Sequence, residues 1–216
     1  MSNPADEPTS ESTRSVAIFD LGGVLIEWNP RNLYRKLFDG DDAAMEHFLA
    51  HICTTEWNER QDAGRTFAEG TRALMPKHAD QRDLIEAWGK RFDEMIPGAI
   101  DGAVEILAAL KDQGTPLYAL SNWSAETFPP QRARFSFLSW FDDIVVSGVE
   151  GVIKPDPRIF RILLDRNAIA PASAVYIDDV ARNAAAATRL GIQGIHYRNP
   201  DQLRQELVSV GLLRDV

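Results

Sequence analysis

The chain has 216 residues, of which 44% are hydrophobic and 25% charged, and its formal net charge at pH 7 is −9. A chain of this length buries enough apolar surface to fold without disulfides or a structural metal. Its single cysteine, Cys53, excludes intrachain disulfides and multi-thiolate zinc sites.

The first segment, residues 1–14, is rich in Ser, Thr, Glu, Asp and Pro and lacks the apolar core of a signal peptide. This composition predicts a disordered tail. The acidic balance disfavours nucleic-acid binding, which depends on basic surface. No apolar run approaches the roughly 18–20 residues that span a bilayer. We therefore expect a cytoplasmic enzyme with neither a nucleic-acid nor a membrane partner.

Five short apolar or β-branched segments are typical of strands buried on both faces of a parallel sheet. They are residues 16–19, 117–120, 144–147, 174–177 and 194–197. Between the later strands, apolar residues recur at helical spacing over residues 101–112, 155–166 and 181–190. This alternation predicts an α/β fold, a Rossmann-like three-layer core around a parallel sheet.

The connection between the first two strands, residues 20–117, is far longer than the dozen or so residues that a crossover needs. Helical patterns fill it, at residues 33–38, 43–52, 66–74 and 82–95. We therefore predict a helical cap over residues 28–96. It would be inserted into a core made of residues 15–27 and 97–216.

Polar side chains that follow the predicted strands define a candidate site, because ligands of open parallel sheets bind at the carboxyl ends of the strands. These side chains are Asp20, Ser121, Lys154 and the pair Asp178 and Asp179. Three neighbouring carboxylates repel one another unless a cation lies among them, and oxygen ligands favour Mg²⁺. A carboxylate in such a site can act as a nucleophile, while a lysine neutralises a phosphoryl group in transfer.

Four segments of the chain resemble, in the same order, the four motifs of the haloacid dehalogenase-like hydrolase superfamily. They are Asp20-Leu21-Gly22-Gly23-Val24-Leu25, Ser121-Asn122, Lys154-Pro155-Asp156, and Asp178-Asp179 with Asn183 four residues beyond. The long insertion after the first motif is similar to the helical cap of that superfamily. Within the superfamily, the chain resembles the branch that includes bacterial sugar-1-phosphate phosphatases.

The resemblance implies roles for individual residues. Asp20 would be the catalytic nucleophile and Lys154 the second catalytic residue. Substrate would be bound by Ser121, Asn122 and Lys154. The Mg²⁺ would be bound by Asp20, the backbone carbonyl of Gly22, and Asp179, with Asp178 supporting them as part of the metal site.

One position departs from the family pattern. Phosphatases of this superfamily usually carry a second Asp two residues after the nucleophile, where it acts as general acid and base, but this chain has Gly22. General acid–base catalysis contributes about 10²–10⁴-fold, so its loss should slow turnover of esters with poor leaving groups. Glu27 or a cap residue such as Asp62 could take its place.

Two further features of the insertion have more than one explanation. The polar segment at residues 56–64 could face the substrate, although a role within the insertion itself is the stronger expectation. Trp28, Trp57 and Trp88 are likewise better explained by packing than by a substrate pocket.

The predicted function is therefore a Mg²⁺-dependent hydrolase of small phosphate monoesters, with sugar phosphates as one candidate class, acting through an aspartyl-phosphate intermediate. Its partner would be a small phosphorylated metabolite. One alternative is a metal-independent 2-haloacid dehalogenase that uses the same nucleophile. The other is a weakly active or inactive phosphate-binding or regulatory module.

Overall fold

A computed structural model describes residues 14–214. Its centre is a five-stranded parallel sheet with the strand order β3-β2-β1-β4-β5. The strands are β1 (Val16–Phe19), β2 (Leu117–Ser121), β3 (Asp143–Val146), β4 (Ala174–Asp178) and β5 (Gln193–His196). All five predicted strands are present, with boundaries that differ by at most one residue. The predicted tail, residues 1–14, lies outside the described residues except for Arg14.

The central strand β1 packs on both faces, as its continuous apolar character predicts. Ala17 and Phe19 belong to one hydrophobic cluster, and Ile18 points into a second cluster on the other face. The predicted three-layer α/β fold is therefore confirmed. The helices that follow the insertion are α6 (Asp101–Asp112), α7 (Phe128–Arg134), α8 (Ser147–Glu150), α9 (Pro157–Arg166), α10 (Ala181–Arg189) and α11 (Pro200–Ser209).

The segment at residues 28–96, called the helical insertion below, contains the remaining helices. They are α1 (Arg31–Leu37), α2 (Asp42–His51), α3 (Thr55–Asp62), α4 (Phe67–His78) and α5 (Arg82–Lys90). The helix expected over residues 82–95 ends at Lys90, and a 3₁₀ turn, Phe92–Met95, follows it. The break leaves Phe92 beside the candidate site described below while Met95 is fully buried.

Helix α3 is absent from the sequence prediction, although its start carries a recognisable signal. The Thr54 hydroxyl accepts a hydrogen bond from the backbone N–H of Trp57 at 3.1 Å, which caps the helix. Only Trp57 and Gln61 are buried in this helix. Its sequence therefore lacks the apolar periodicity on which helix prediction depends. Within residues 14–214, none of the helices is both long enough and apolar enough to cross a membrane.

Candidate active site

The sheet order brings the predicted site residues together. Strand β1 lies between β2 and β4, so Asp20, which follows β1, has Ser121 on one side and Asp178 on the other. Lys154 lies in the loop between α8 and α9 and reaches the same edge of the sheet. All strands run in one direction, and their carboxyl ends therefore form a single site.

Lys154 is the electrostatic centre of this edge. Its ammonium Nζ, which is fully buried, lies 2.8 Å from Asp20 Oδ2 and 2.8 Å from Asp178 Oδ2. It also donates a hydrogen bond to the backbone carbonyl of Leu120 at 2.9 Å. Burial alone would lower the pKa of Lys154, but Asp20 and Asp178 raise it above its ordinary value. The ammonium group therefore stays protonated and holds two carboxylates together.

Asp178 is the most constrained of the three carboxylates. Besides Lys154, it accepts hydrogen bonds from the Tyr176 hydroxyl, from the backbone N–H of Val180 at 2.8 Å and from Asn183 Nδ2 at 3.0 and 3.1 Å. Burial raises the pKa of Asp178, but Lys154 and these donors outweigh it and the pKa lies below the ordinary value. A carboxylate offers about four lone-pair sites. The lone-pair sites of Asp178 are already occupied by Lys154 and by these hydrogen bonds, so Asp178 positions the residues around it.

Asp20 is 7% exposed and its two oxygens have different partners. Oδ1 accepts a hydrogen bond from the backbone N–H of Leu21 at 2.7 Å, and Oδ2 faces Lys154. Burial raises the pKa of Asp20 to about 8, with Lys154 opposing the rise and Asp178 adding to it. Without a further cation, this carboxyl group therefore has a strong tendency to bind a proton.

Asp179 is the most exposed of the three carboxylates and lies directly over Gly23. A Cβ atom at Gly23 would be 2.3 Å from Asp179 Oδ2, and the backbone φ of Gly23 is +76°. Only glycine meets both conditions without strain. Burial and the nearby Asp178 raise the pKa of Asp179.

The three carboxylates form a cluster in which a cation could bind, with Asp178 as a supporting member because its oxygens are already bonded. One oxygen from each of Asp20, Asp178 and Asp179 lies within 4.8 Å of the others. Such an all-oxygen set suits a hard dication such as Mg²⁺. The pKa values of Asp20 and Asp179 are both raised, and a positive ion among these groups would favour their charged forms. The electrostatics of the cluster therefore also favour a bound cation.

Ser121 and Asn122 were both predicted to bind substrate, and their surroundings differ. Both residues line the cavity in front of Asp20, and Ser121 is buried. The Asn122 amide bonds to the backbone of Lys154 in both directions, accepting from its N–H at 2.8 Å and donating to its carbonyl at 3.1 Å. Asn122 therefore fixes the loop that carries Lys154.

A cavity of about 250 Å³ lies between this edge of the sheet and the helical insertion. Gly22 lines it, and an added Cβ atom there would have no neighbour within 4 Å. Its aromatic lining consists of Trp28, Phe92 and Trp123. The other two tryptophans of the insertion, Trp57 and Trp88, are buried, in agreement with the packing prediction.

The polar lining on the opposite side comes from α3. Asn58, Glu59 and Asp62 face the cavity, so part of the 56–64 segment contributes to the site rather than only to packing. Several contacts tie the insertion to the core. Among them, Ser147 Oγ donates to the Asp62 carbonyl at 2.6 Å, Arg182 Nη2 pairs with Glu59 Oε1 at 2.7 Å, and the Phe67 N–H donates to Glu126 at 2.6 Å.

Sequence patterns did not indicate Phe92 or Trp123 as site residues. Trp123 directly follows the Ser121-Asn122 motif, so its position at a strand end could have drawn attention to it. Phe92 has no comparable signal, because a break in helix geometry places it at the cavity.

Comparison with known proteins agrees with this geometry. The profile of the haloacid dehalogenase-like hydrolases matches residues 15–191. The chain belongs to this family. It is thus a hydrolase of the haloacid dehalogenase-like type, and the family resemblance inferred from the four motifs is confirmed.

Individual relatives within this family are distant. The sesquiterpene phosphatase of Aspergillus oryzae is 27% identical, over 86% of this chain and 90% of that protein. The phosphorylated carbohydrates phosphatase of Thermotoga maritima is 28% identical, over 91% and 93%. The chain spans only 19% of another relative, the mouse acyl-CoA dehydrogenase family member 10, at 27% identity.

Solved structures share the fold. A haloacid dehalogenase family enzyme from Bacteroides thetaiotaomicron, in complex with magnesium and inorganic phosphate, aligns with a TM-score of 0.61 and 22% identity, over 86% of this chain and 95% of that one. At this level of identity the likeness concerns the fold alone.

Proposed function

We propose that this haloacid dehalogenase-like hydrolase is a Mg²⁺-dependent phosphomonoesterase that uses Asp20 as its nucleophile. The observation that carries the proposal is the position of the Lys154 ammonium, 2.8 Å from both Asp20 and Asp178 with Asp179 in the same cluster. This arrangement suits a substrate that brings negative charge to the nucleophile. The two phosphatases among its relatives, from Aspergillus and Thermotoga, support the same class of reaction.

The residues of the core have different roles in the proposed reaction. An oxygen of Asp20 attacks phosphorus, the ester P–O bond breaks, and an aspartyl-phosphate forms on Asp20. Lys154 places positive charge beside the reacting carboxylate and so stabilises the charge of the phosphoryl group. Ser121 lines the cavity where its hydroxyl can bind a phosphate oxygen. Water then attacks the aspartyl-phosphate, which releases inorganic phosphate.

The Mg²⁺ would be held by Asp20, Asp179 and the backbone carbonyl of Gly22, with Asp178 orienting Lys154 and the loop after β4. When bound, it would neutralise the charge that the nucleophile and the phosphate bring together. The Bacteroides enzyme of the same fold has been solved with magnesium and inorganic phosphate. The raised pKa of Asp20 is consistent with a carboxylate that needs this ion to be charged near neutral pH.

The cavity limits the substrate. Its volume of about 250 Å³ is below the roughly 300–1,000 Å³ of typical ligand pockets, and its walls mix aromatic rings with amide, carboxylate and guanidinium groups. A small phosphorylated metabolite with polar groups, such as a sugar phosphate, fits this volume and lining. We take residues 28–96 to be the cap that closes over it and excludes water.

The test is phosphate release from a panel of esters that includes p-nitrophenyl phosphate and hexose phosphates, with Mg²⁺ and with EDTA. We expect activity only with Mg²⁺, and Asp20→Asn should lower it by at least roughly 10³-fold. Asp112→Asn, at the exposed end of α6, is the matched control and should leave activity unchanged.

Other outcomes would favour the alternatives. Halide release from 2-haloacids that persists in EDTA would favour the dehalogenase. Binding of Mg²⁺ or phosphate without turnover of any ester would favour a phosphate-binding module. Full activity of Asp20→Asn would contradict the nucleophile assignment.

A further inference from the structure

The site lacks a proton donor where its family usually has one. Gly22 has no side chain, and Glu27 is exposed and does not line the cavity. An alkoxide leaving group needs a proton as the P–O bond breaks, so the absence of an acid would leave esters of ordinary alcohols slow. Another group within reach of the cavity has to supply the proton.

Among the described residues, four carboxylates line the cavity: Asp20, Asp179, Glu59 and Asp62. Asp20 is assigned to attack on phosphorus and Asp179 to the cation. Glu59 is already engaged in an ion pair with Arg182 at 2.7 Å. Asp62 remains, and it has no cationic partner within salt-bridge distance among the residues that the structure describes.

The geometry of Asp62 suits a proton donor. It is the last residue of α3, and its carboxyl Oδ2 accepts a hydrogen bond from Asn58 Nδ2 at 2.9 Å, which fixes the side chain. Its backbone carbonyl is held by Ser147 Oγ at 2.6 Å, so the core sets the position of this helix end. Asp62 belongs to the insertion and Asp20 follows a strand of the sheet, and both line the cavity. In-line transfer places the nucleophile and the leaving group on opposite sides of phosphorus, so a donor from the wall that does not carry the nucleophile suits the leaving group.

The protonation state of Asp62 agrees with this geometry. Burial raises the pKa of Asp62 to about 7, and the neighbouring Glu59 adds to the rise, while Lys154 and the backbone N–H of Ser124 oppose it. A large fraction of Asp62 is therefore protonated near neutral pH, where an acid catalyst of this pKa works efficiently.

We propose that Asp62 is the general acid and base of the proposed phosphatase reaction, in the role that Gly22 leaves vacant. In the first half-reaction, Asp20 forms a bond to phosphorus, the P–O bond to the substrate breaks, and the carboxyl proton of Asp62 moves to the leaving oxygen, which departs as an alcohol. In the second half-reaction, the Asp62 carboxylate takes a proton from water, the water oxygen forms a bond to phosphorus, and the bond between phosphorus and the Asp20 oxygen breaks. Inorganic phosphate leaves, and both carboxyl groups return to their initial states.

The test compares two leaving groups in Asp62→Asn. For a hexose or glycerol phosphate, whose alkoxide needs a proton, kcat/KM should fall about 10²–10⁴-fold. For p-nitrophenyl phosphate, whose phenolate leaves without one, the first half-reaction should be nearly unchanged. The second half-reaction should be slow. The variant should therefore release a burst of about one equivalent of nitrophenolate per enzyme, and mass spectrometry should detect one added phosphoryl group on the protein.

Two further variants make the result specific. Glu56→Gln changes an exposed carboxylate on the same helix and should leave both substrates unaffected. Gly22→Asp in the Asp62→Asn background places a carboxylate where an added Cβ atom has open space, and it should restore much of the activity on the alkyl phosphate.

The proposal rests on the proposed function, and the two can fail separately. A wild-type protein that hydrolyses no phosphate ester overturns both. If the wild type is active and Asp62→Asn lowers kcat/KM equally for the two leaving groups, or leaves both unchanged, Asp62 is not the acid. If Asp62→Asn strongly alters thermal unfolding, the Gly22→Asp rescue decides the interpretation. A new carboxylate at position 22 would not repair activity that was lost through a purely structural defect.

Discussion

The two walls of the cavity are built differently. On the core side, Asp20, Lys154 and Asp178 are buried and linked to one another by ion pairs and to the backbone at strand ends. On the insertion side, the polar groups come from one helix, α3, and its link between charged groups is the half-exposed pair of Glu59 and Arg182. The core wall carries the buried charges on which the proposed chemistry depends. The wall with fewer constraints is the one that can differ in how it recognises a substrate and handles its proton.

The largest stability difference should separate the buried ion pairs of the core wall from an exposed ion pair on the surface of the insertion. Lys154→Met leaves Asp20 and Asp178 buried without their cation, and breaking such a pair costs about 3–5 kcal/mol. Lys90→Met removes an exposed lysine that pairs with Glu86 on α5, and such pairs contribute about 0.2–1 kcal/mol. Urea unfolding of both variants measures the difference. Equal losses would mean that the core charges are no more important for stability than surface ones.

The adjacent glycines of the first motif should respond unequally to a methyl group. Gly23→Ala forces a residue with φ +76° to carry a Cβ atom 2.3 Å from Asp179 Oδ2, so we expect a loss of about 1–3 kcal/mol and weaker stabilisation by Mg²⁺. Gly22→Ala meets no atom within 4 Å and should stay within about 0.5 kcal/mol of the wild type.

Thermal unfolding with and without Mg²⁺ tests this pair of variants, because a ligand that binds only the folded state raises its stability. If Gly23→Ala retains the full Mg²⁺ effect, then Asp179 does not need its present position to bind the ion.

The smallest effect concerns the link between the walls. The side chains of Arg182 and Glu59 are 61% and 29% exposed, so Arg182→Met should lower the free energy of unfolding by less than about 1 kcal/mol. The effect should shrink at high salt, where exposed charges are screened. A double-mutant cycle with Glu59→Gln measures the pair itself. A coupling of several kcal/mol would show that the insertion is fixed as firmly as the core.

The sequence predicted the core well because its signals are local. Each strand of the parallel sheet is a short apolar run, and each motif residue directly follows its strand, as Asp20 follows Phe19. Chain order and the one-way direction of the strands then suffice to place the motif residues at one edge. The predictions were less accurate at element ends: Ser147, expected in β3, begins α8 and bonds to the insertion instead.

The insertion was harder to predict, and α3 shows why. A helix whose polar side faces a cavity has little apolar periodicity, so the pattern that reveals core helices is weak in it. The break between α5 and the 3₁₀ turn that follows it, which brings Phe92 to the cavity, likewise depends on the packing of the whole insertion.

By itself, the sequence determined the α/β class, the order of the four motifs and the residues that meet at the sheet edge, because regular strands and helices leave periodic patterns along the chain. Only the tertiary structure decided how the oxygens of Asp178 are occupied, which wall Asp62 lines and how Asn122 supports Lys154. Those relations join residues far apart in sequence, and they depend on side-chain packing that no local pattern encodes.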